Sequence, residues 1–144
     1  MNNVDISVKR GEVHALIGEN GAGKSTLMKV LDGVFAANSG EIILDGEKVT
    51  LKNTSDARKK GIGLIFQEFN LVNSLSVAEN IYMNRLKSRH GHVDWKQINY
   101  DAQELVNSLD FNFKVTDKVE NLSAAQKQLV EIAKAVSANA KIVI

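Results

Sequence analysis

An octapeptide near the N-terminus, Gly18-Glu19-Asn20-Gly21-Ala22-Gly23-Lys24-Ser25, has the spacing G-x-x-x-x-G-K-[S/T] and sets the terms for the rest of the chain. Glycines let the backbone curl so that successive N–H groups face one centre, a geometry that suits phosphate oxygens. A helix opening at the end of the loop adds the positive end of its dipole to the same point. In that arrangement Lys24 reaches the β- and γ-phosphates of a nucleotide, Ser25 offers its hydroxyl to Mg2+, and Thr26 contacts the α-phosphate. The flanks agree with such a loop. Val13 to Ile17 is a short, mostly apolar run that reads as a strand covered on both faces. Leu27, Met28, Val30 and Leu31 surround much of a helix axis, which predicts a deeply buried helix ending near Gly33.

Elsewhere the pattern alternates between strand and helix. Val4, Ile6 and Val8 alternate with polar residues, as on a half-buried strand, and a turn follows at Lys9 to Glu12. Asp45-Gly46 between Ile42–Leu44 and Lys48–Leu51 is a hairpin signal. A polar helix near Ser55 to Lys60 leads to a strand from Ile62 to Phe66. Two segments have capping-box spacing, Ser76 with Glu79 and Ser123 with Gln126, and each predicts a helix start. Asp94 and Trp95 look like a helix cap and its hydrophobic anchor, ahead of an amphipathic helix whose face holds Ile98, Ala102, Leu105, Val106 and Leu109. The helix after Ser123 carries Leu129, Ile132, Ala133 and Val136. Lys141 to Ile144 reads as the start of a buried strand. The predicted order is a loop-bearing α/β part over 1–69, a helical part over 70–138, and a returning strand over 139–144.

Composition narrows the function classes. With 18 basic and 17 acidic residues the net charge is +1, and the basic residues are scattered, which speaks against nucleic acid as a partner. There is no cysteine, so neither a disulfide framework nor a thiolate metal site is available. No run approaches the ~18 apolar residues of a spanning helix, and the first residues lack the pattern of a signal peptide, so a cytoplasmic location is expected. His90 and His92 flank Gly91 without a third ligand in view and read as a solvated loop, and His14 as a packed or hydrogen-bonded histidine.

The loop alone does not separate a kinase, a GTPase and a transport ATPase. Two further segments do. Ile65-Phe66-Gln67-Glu68 resembles the glutamine loop of ATP-binding-cassette (ABC) proteins, and Leu122-Ser123-Ala124-Ala125-Gln126 resembles their signature segment. The three features stand in the family's order across essentially all 144 residues. Within the family, Gln67-Glu68-Phe69-Asn70-Leu71, Ser76-Val77-Ala78-Glu79-Asn80-Ile81 and Val130-Glu131-Ile132-Ala133-Lys134-Ala135 look like the ATPase subunits of bacterial ribose, galactose and xylose importers.

The resemblance implies a P-loop NTPase fold of the ABC ATPase type: an α/β core with a β subdomain and an inserted helical subdomain, truncated at both ends. It implies ATP and Mg2+ as ligands. Gly18, Glu19, Asn20, Gly21, Ala22, Gly23, Lys24, Ser25 and Thr26 would hold the nucleotide, and Ser25 and Gln67 the metal. Lys24 and Gln67 would serve the reaction, with Gln67 reporting nucleotide state to the helical part. Ser123, Ala125 and Gln126 would meet the γ-phosphate of a nucleotide held mainly by a second cassette. The helical part would dock on membrane-spanning permease subunits, placing the protein on the inner face of the membrane. Where the family's signature has two glycines this chain has Ala124 and Ala125. The family's catalytic Asp and Glu would follow Ile144, and its adenine-stacking aromatic would precede Met1. The 144 residues are therefore expected to bind nucleotide but to hydrolyse it poorly or not at all. The alternatives are a soluble cassette ATPase of nucleic-acid repair or translation, a regulatory module that binds without hydrolysing, and another P-loop class. The guanine motif Asn-Lys-x-Asp of GTPases is absent.

Overall fold

A computed structural model describes residues 3–66, 68–86, 88, 89 and 91–144. The chain divides into two compact units, Met1–Ile62 and Gly63–Ile144. In chain order the elements are α1 (Lys24–Leu31), β1 (Ile42–Leu44), β2 (Glu47–Val49), α2 (Thr54–Lys59), β3 (Ile62–Gly63), α3 (Val77–Tyr82), β4 (Ser88–Arg89), β5 (His92–Val93), α4 (Trp95–Ser108), α5 (Ala124–Ser137) and β6 (Ile142–Val143).

In the first unit β1 and β2 form the hairpin expected at Asp45-Gly46, antiparallel with Leu44 opposite Glu47. Both turn residues have positive φ, 52° and 81°, as a two-residue turn with the twist of the strands requires. Helix α1 ends as anticipated. Val34 N–H donates to the Lys29 carbonyl at 2.9 Å and Gly33 N–H to the Val30 carbonyl at 3.1 Å, a Schellman closure. Gly33 takes φ +75°, and a Cβ there would stand 2.5 Å from the Asn53 carbonyl oxygen, so both backbone and space call for glycine. Asn53 caps α2 by accepting from Asp56 N–H at 3.0 Å.

Three expectations for this unit are corrected. Residues 4–8 and 13–17 are not assigned as strands, and Val13 and Ile17 are 98% and 94% exposed rather than covered. Helix α1 has no buried residue. The cause is common to all three. Apolar patterning records a need for cover, and among the described residues no strand pairs with 4–8 or 13–17 to begin the layer that would supply it.

The second unit holds the main core. Val77, Ala78 and Ile81 of α3, Ile98, Ala102 and Val106 of α4, and Val130 and Ala133 of α5 pack together with Phe113, Val115, Val119 and Leu122. The helix starts are those expected from the capping boxes. Ser76 Oγ accepts from Glu79 N–H while Glu79 accepts from Ser76 N–H, and Ser123 and Gln126 make the same exchange. Asp94 caps α4 by accepting from Gln97 N–H at 3.1 Å, and Trp95, expected as a hydrophobic anchor, is 45% exposed. The buried side of α5 is Val130, Glu131 and Ala133, whereas Val136, expected inside, is exposed. Arg85 ties the far ends of two helices, donating to the Ser137 carbonyl, to Ser137 Oγ at 2.6 Å and to the Ile81 carbonyl at 3.1 Å. A cation placed on helix C-terminal carbonyls is favourable for both helices.

The expected strand over 62–66 is shorter, and the final strand is exposed rather than buried. Ile144 N–H donates to the Gly63 carbonyl and Ile65 N–H to the Ile144 carbonyl, each at 2.8 Å, the slanted pattern of a parallel ladder. Among the described residues β6 has β3 as its only strand neighbour, and Ile142 and Val143 are 38% and 47% exposed.

Candidate functional site: the loop at the start of helix α1

The loop folds as its glycines allow. Gly21 and Gly23 take φ +88° and +92°, left-handed values that a side chain would resist. Ala22 N–H closes a turn on the Glu19 carbonyl at 3.2 Å. Gly23 is the N-cap of α1 and, having no side chain, satisfies none of the helix's first N–H groups; no acidic residue occupies the first turn either. The N-terminal amides of α1 are thus left for an external acceptor, at the positive end of the helix dipole.

Lys24 turns back onto the loop. Its ammonium folds back over the loop and donates to the Gly18 carbonyl at 2.6 Å and the Glu19 carbonyl at 2.9 Å. Carbonyls on the entering side of the loop therefore hold a cation while amides on the leaving side stay open. An anion placed there meets both the ammonium and the amides. Ser25 and Thr26, one and two residues further along the first turn, are exposed. No group of three or more His, Asp or Glu side chains that could cage a metal occurs among the described residues. A hydroxyl beside a phosphate site suits Mg2+, which keeps several waters and binds through few protein ligands plus phosphate oxygens.

Gly18 to Thr26 thus converge in one loop, in the first unit. Ser123, Ala125 and Gln126 lie in the second unit, at the exposed start of α5, where the Ser123 and Gln126 side chains are engaged with each other's backbone N–H groups at 3.2 and 2.9 Å. Gln67 and His90 lie outside the described residues. His14 Nδ1 and Glu12 Oε1 are 2.8 Å apart, which makes it the hydrogen-bonded histidine expected. The sequence reading passed over Asn80 and Glu131, two polar side chains inside the core of the second unit. Only one of them left a signal in the sequence. Asn80 sits three residues after Val77, on one face of α3, while Glu131 has Lys127, Gln128 and Lys134 as its helical neighbours and gives no such signal.

Comparison with known proteins gives the family. The chain is 45% identical over its whole length to a galactose/methyl galactoside import ATP-binding protein, MglA of Clostridium perfringens. It is 46% identical, again over its whole length, to a ribose import ATP-binding protein, RbsA of Caldanaerobacter subterraneus. It spans 28% and 29% of the length of these two relatives. Among solved structures it is similar to cbiO1 of Clostridium perfringens, part of an ABC transporter complex, with a TM-score of 0.79 at 26% identity over 97% of this chain and 55% of that one. That likeness bears out the P-loop NTPase fold of an ABC cassette. The family model for ABC transporters matches residues 1–144, and the chain belongs to that family.

Proposed function

We propose that this chain is the nucleotide-holding part of an ATP-binding subunit of a sugar importer, which couples ATP binding and hydrolysis to transport. The observation that carries the reading is the uncapped start of α1 beneath the Lys24 ammonium, a site built for a polyphosphate. In this reading Gly18 to Gly23 wrap the phosphates, Lys24 neutralises the β- and γ-oxygens, and Thr26 contacts the α-phosphate. Ser25 binds Mg2+, joined by Gln67. The metal supplies charge neutralisation at the phosphates; the loop supplies position. Ser123, Ala125 and Gln126 serve the nucleotide of a second cassette, from the start of α5. The helical part over 70–138 meets the permease subunits, which places the protein on the cytoplasmic face of the membrane. No helix among the described residues is long and apolar enough to cross it.

The names of the relatives support sugar import as the process. The test is uptake. Deleting the gene that encodes this chain should abolish high-affinity import of one of ribose, galactose or xylose, and the gene carrying Lys24→Ala should not restore it. Undiminished uptake of all three would reject the importer assignment while leaving nucleotide binding open to its own test.

A further inference from the structure

The dipeptide Asp-Gly occurs twice in the sequence, at Asp32-Gly33 and at Asp45-Gly46. It is open to one intramolecular reaction above other pairs, because glycine has no Cβ to shield its backbone nitrogen from the aspartate carboxyl beside it. The fold puts the two copies in opposite settings.

Asp32-Gly33 is closed to that reaction. Asp32 is 4% exposed, Gly33 N–H is spent on the Val30 carbonyl at 3.1 Å, and the Asn53 carbonyl oxygen crowds the place of a Gly33 Cβ. Asp45-Gly46 is the open tip of the β1–β2 hairpin. Both residues are exposed, and among the described residues nothing accepts from Gly46 N–H. Apart from its chain neighbours, no atom lies within 4 Å of a Cβ built on Gly46. One contact from outside the hairpin restrains the tip: Arg10 donates to Asp45 Oδ1 from Nη2 at 2.7 Å and from Nε at 3.2 Å. Two donors on one oxygen fix the carboxyl group, and the reaction has to turn it toward Gly46 N.

We propose that Asp45 is a site of spontaneous modification, first to a succinimide and then to isoaspartate, and that Arg10 slows it. Gly46 N attacks Asp45 Cγ. The N–Cγ bond forms, a Cγ–O bond of the carboxyl group breaks, and that oxygen leaves as water with the carboxyl proton and the amide proton. A second water then opens the imide ring. Attack at Cγ restores aspartate. Attack at the main-chain carbonyl of Asp45 breaks its bond to Gly46 N, and the chain afterwards runs through Cγ. An extra carbon thereby enters a two-residue turn. The pairing of Leu44 with Glu47 depends on the length of that turn, so the register of β1 on β2 is lost as far as the buried Val49.

The test is ageing. The folded 144-residue chain is held at neutral pH over weeks beside the same chain in urea. Each is then digested and mapped by peptide mass and by labelling with an isoaspartyl carboxyl methyltransferase. In urea both Asp-Gly pairs are expected to form isoaspartate at similar rates. In the folded chain 45–46 should accumulate it, and 32–33 should lag at least about tenfold behind, since its nitrogen is freed only when the end of α1 opens. Arg10→Gln removes the grip without touching the turn and should speed formation at 45–46 about two- to fivefold, the scale of an exposed ion pair. Gly46→Asn keeps a residue that accepts positive φ but shields the nitrogen, and should suppress the reaction. Equal rates at the two pairs in the folded chain, no isoaspartate at 45–46, or undiminished formation in Gly46→Asn overturns the site. A rate in Arg10→Gln equal to that of the wild type overturns the part given to Arg10.

Discussion

Asp32 shows how one residue sets a pH dependence apart from the site. It closes α1, is buried, and its carboxyl ionises above the ordinary value because burial disfavours the charge, an effect Arg58 partly offsets. In the unfolded chain the same carboxyl ionises at its ordinary value. Between the two values the folded state therefore binds more protons than the unfolded state, and the contribution of Asp32 to stability grows as the pH falls from neutral through the folded value. Asp32→Asn should remove that increment and leave the protein at least as stable as the wild type at pH 7. Urea unfolding of both proteins at pH 7 and about pH 5 checks this; a variant clearly weaker at pH 7 would show that the charge is used. At this scale the sequence was legible where a residue type has a single physical use. Gly33, Ser76, Ser123 and the Asp45-Gly46 pair stand where their chemistry puts them. Asn80 and Glu131 were not read, because a polar helix residue names no partner until the fold brings Val72 and Asn70 to it.

At the scale of elements, the start of α5 carries two roles that can be separated. As an N-cap, Ser123 satisfies Gln126 N–H, and Ser123→Ala should cost about 1 kcal/mol of stability, read from urea unfolding. As a signature residue it would act on nucleotide held by another cassette, so the same substitution should leave the Mg-ATP affinity of this chain unchanged. A clear fall in that affinity would place Ser123 at the nucleotide of its own chain. Helices were read more faithfully than strands. Capping and periodicity are local and survive whatever surrounds them, which is why α3, α4 and α5 begin where their caps lie. A strand is completed by its neighbours, and β6 has one ladder partner among the described residues.

For the whole molecule, the two units differ in how far each encloses its own apolar residues. The second packs three helices around a continuous core, whereas the first leaves Val13 and Ile17 almost fully open. The chain spans about 28% of the length of its relatives, so the activity of the entire protein is a proposal built on the part that holds the loop. The turn glycines and the helix start of that loop were legible from its spacing, since they are contiguous in sequence and need no distant partner. What it binds can be asked directly by titrating the 144-residue chain and its Lys24→Ala variant with Mg-ATP in a calorimeter. The account expects saturable binding at one site per chain, weakened by about 30-fold or more in the variant, as the loss of roughly 2–5 kcal/mol from a desolvated charge pair requires. Equal affinity in the two proteins, or no binding by the wild type, would contradict it.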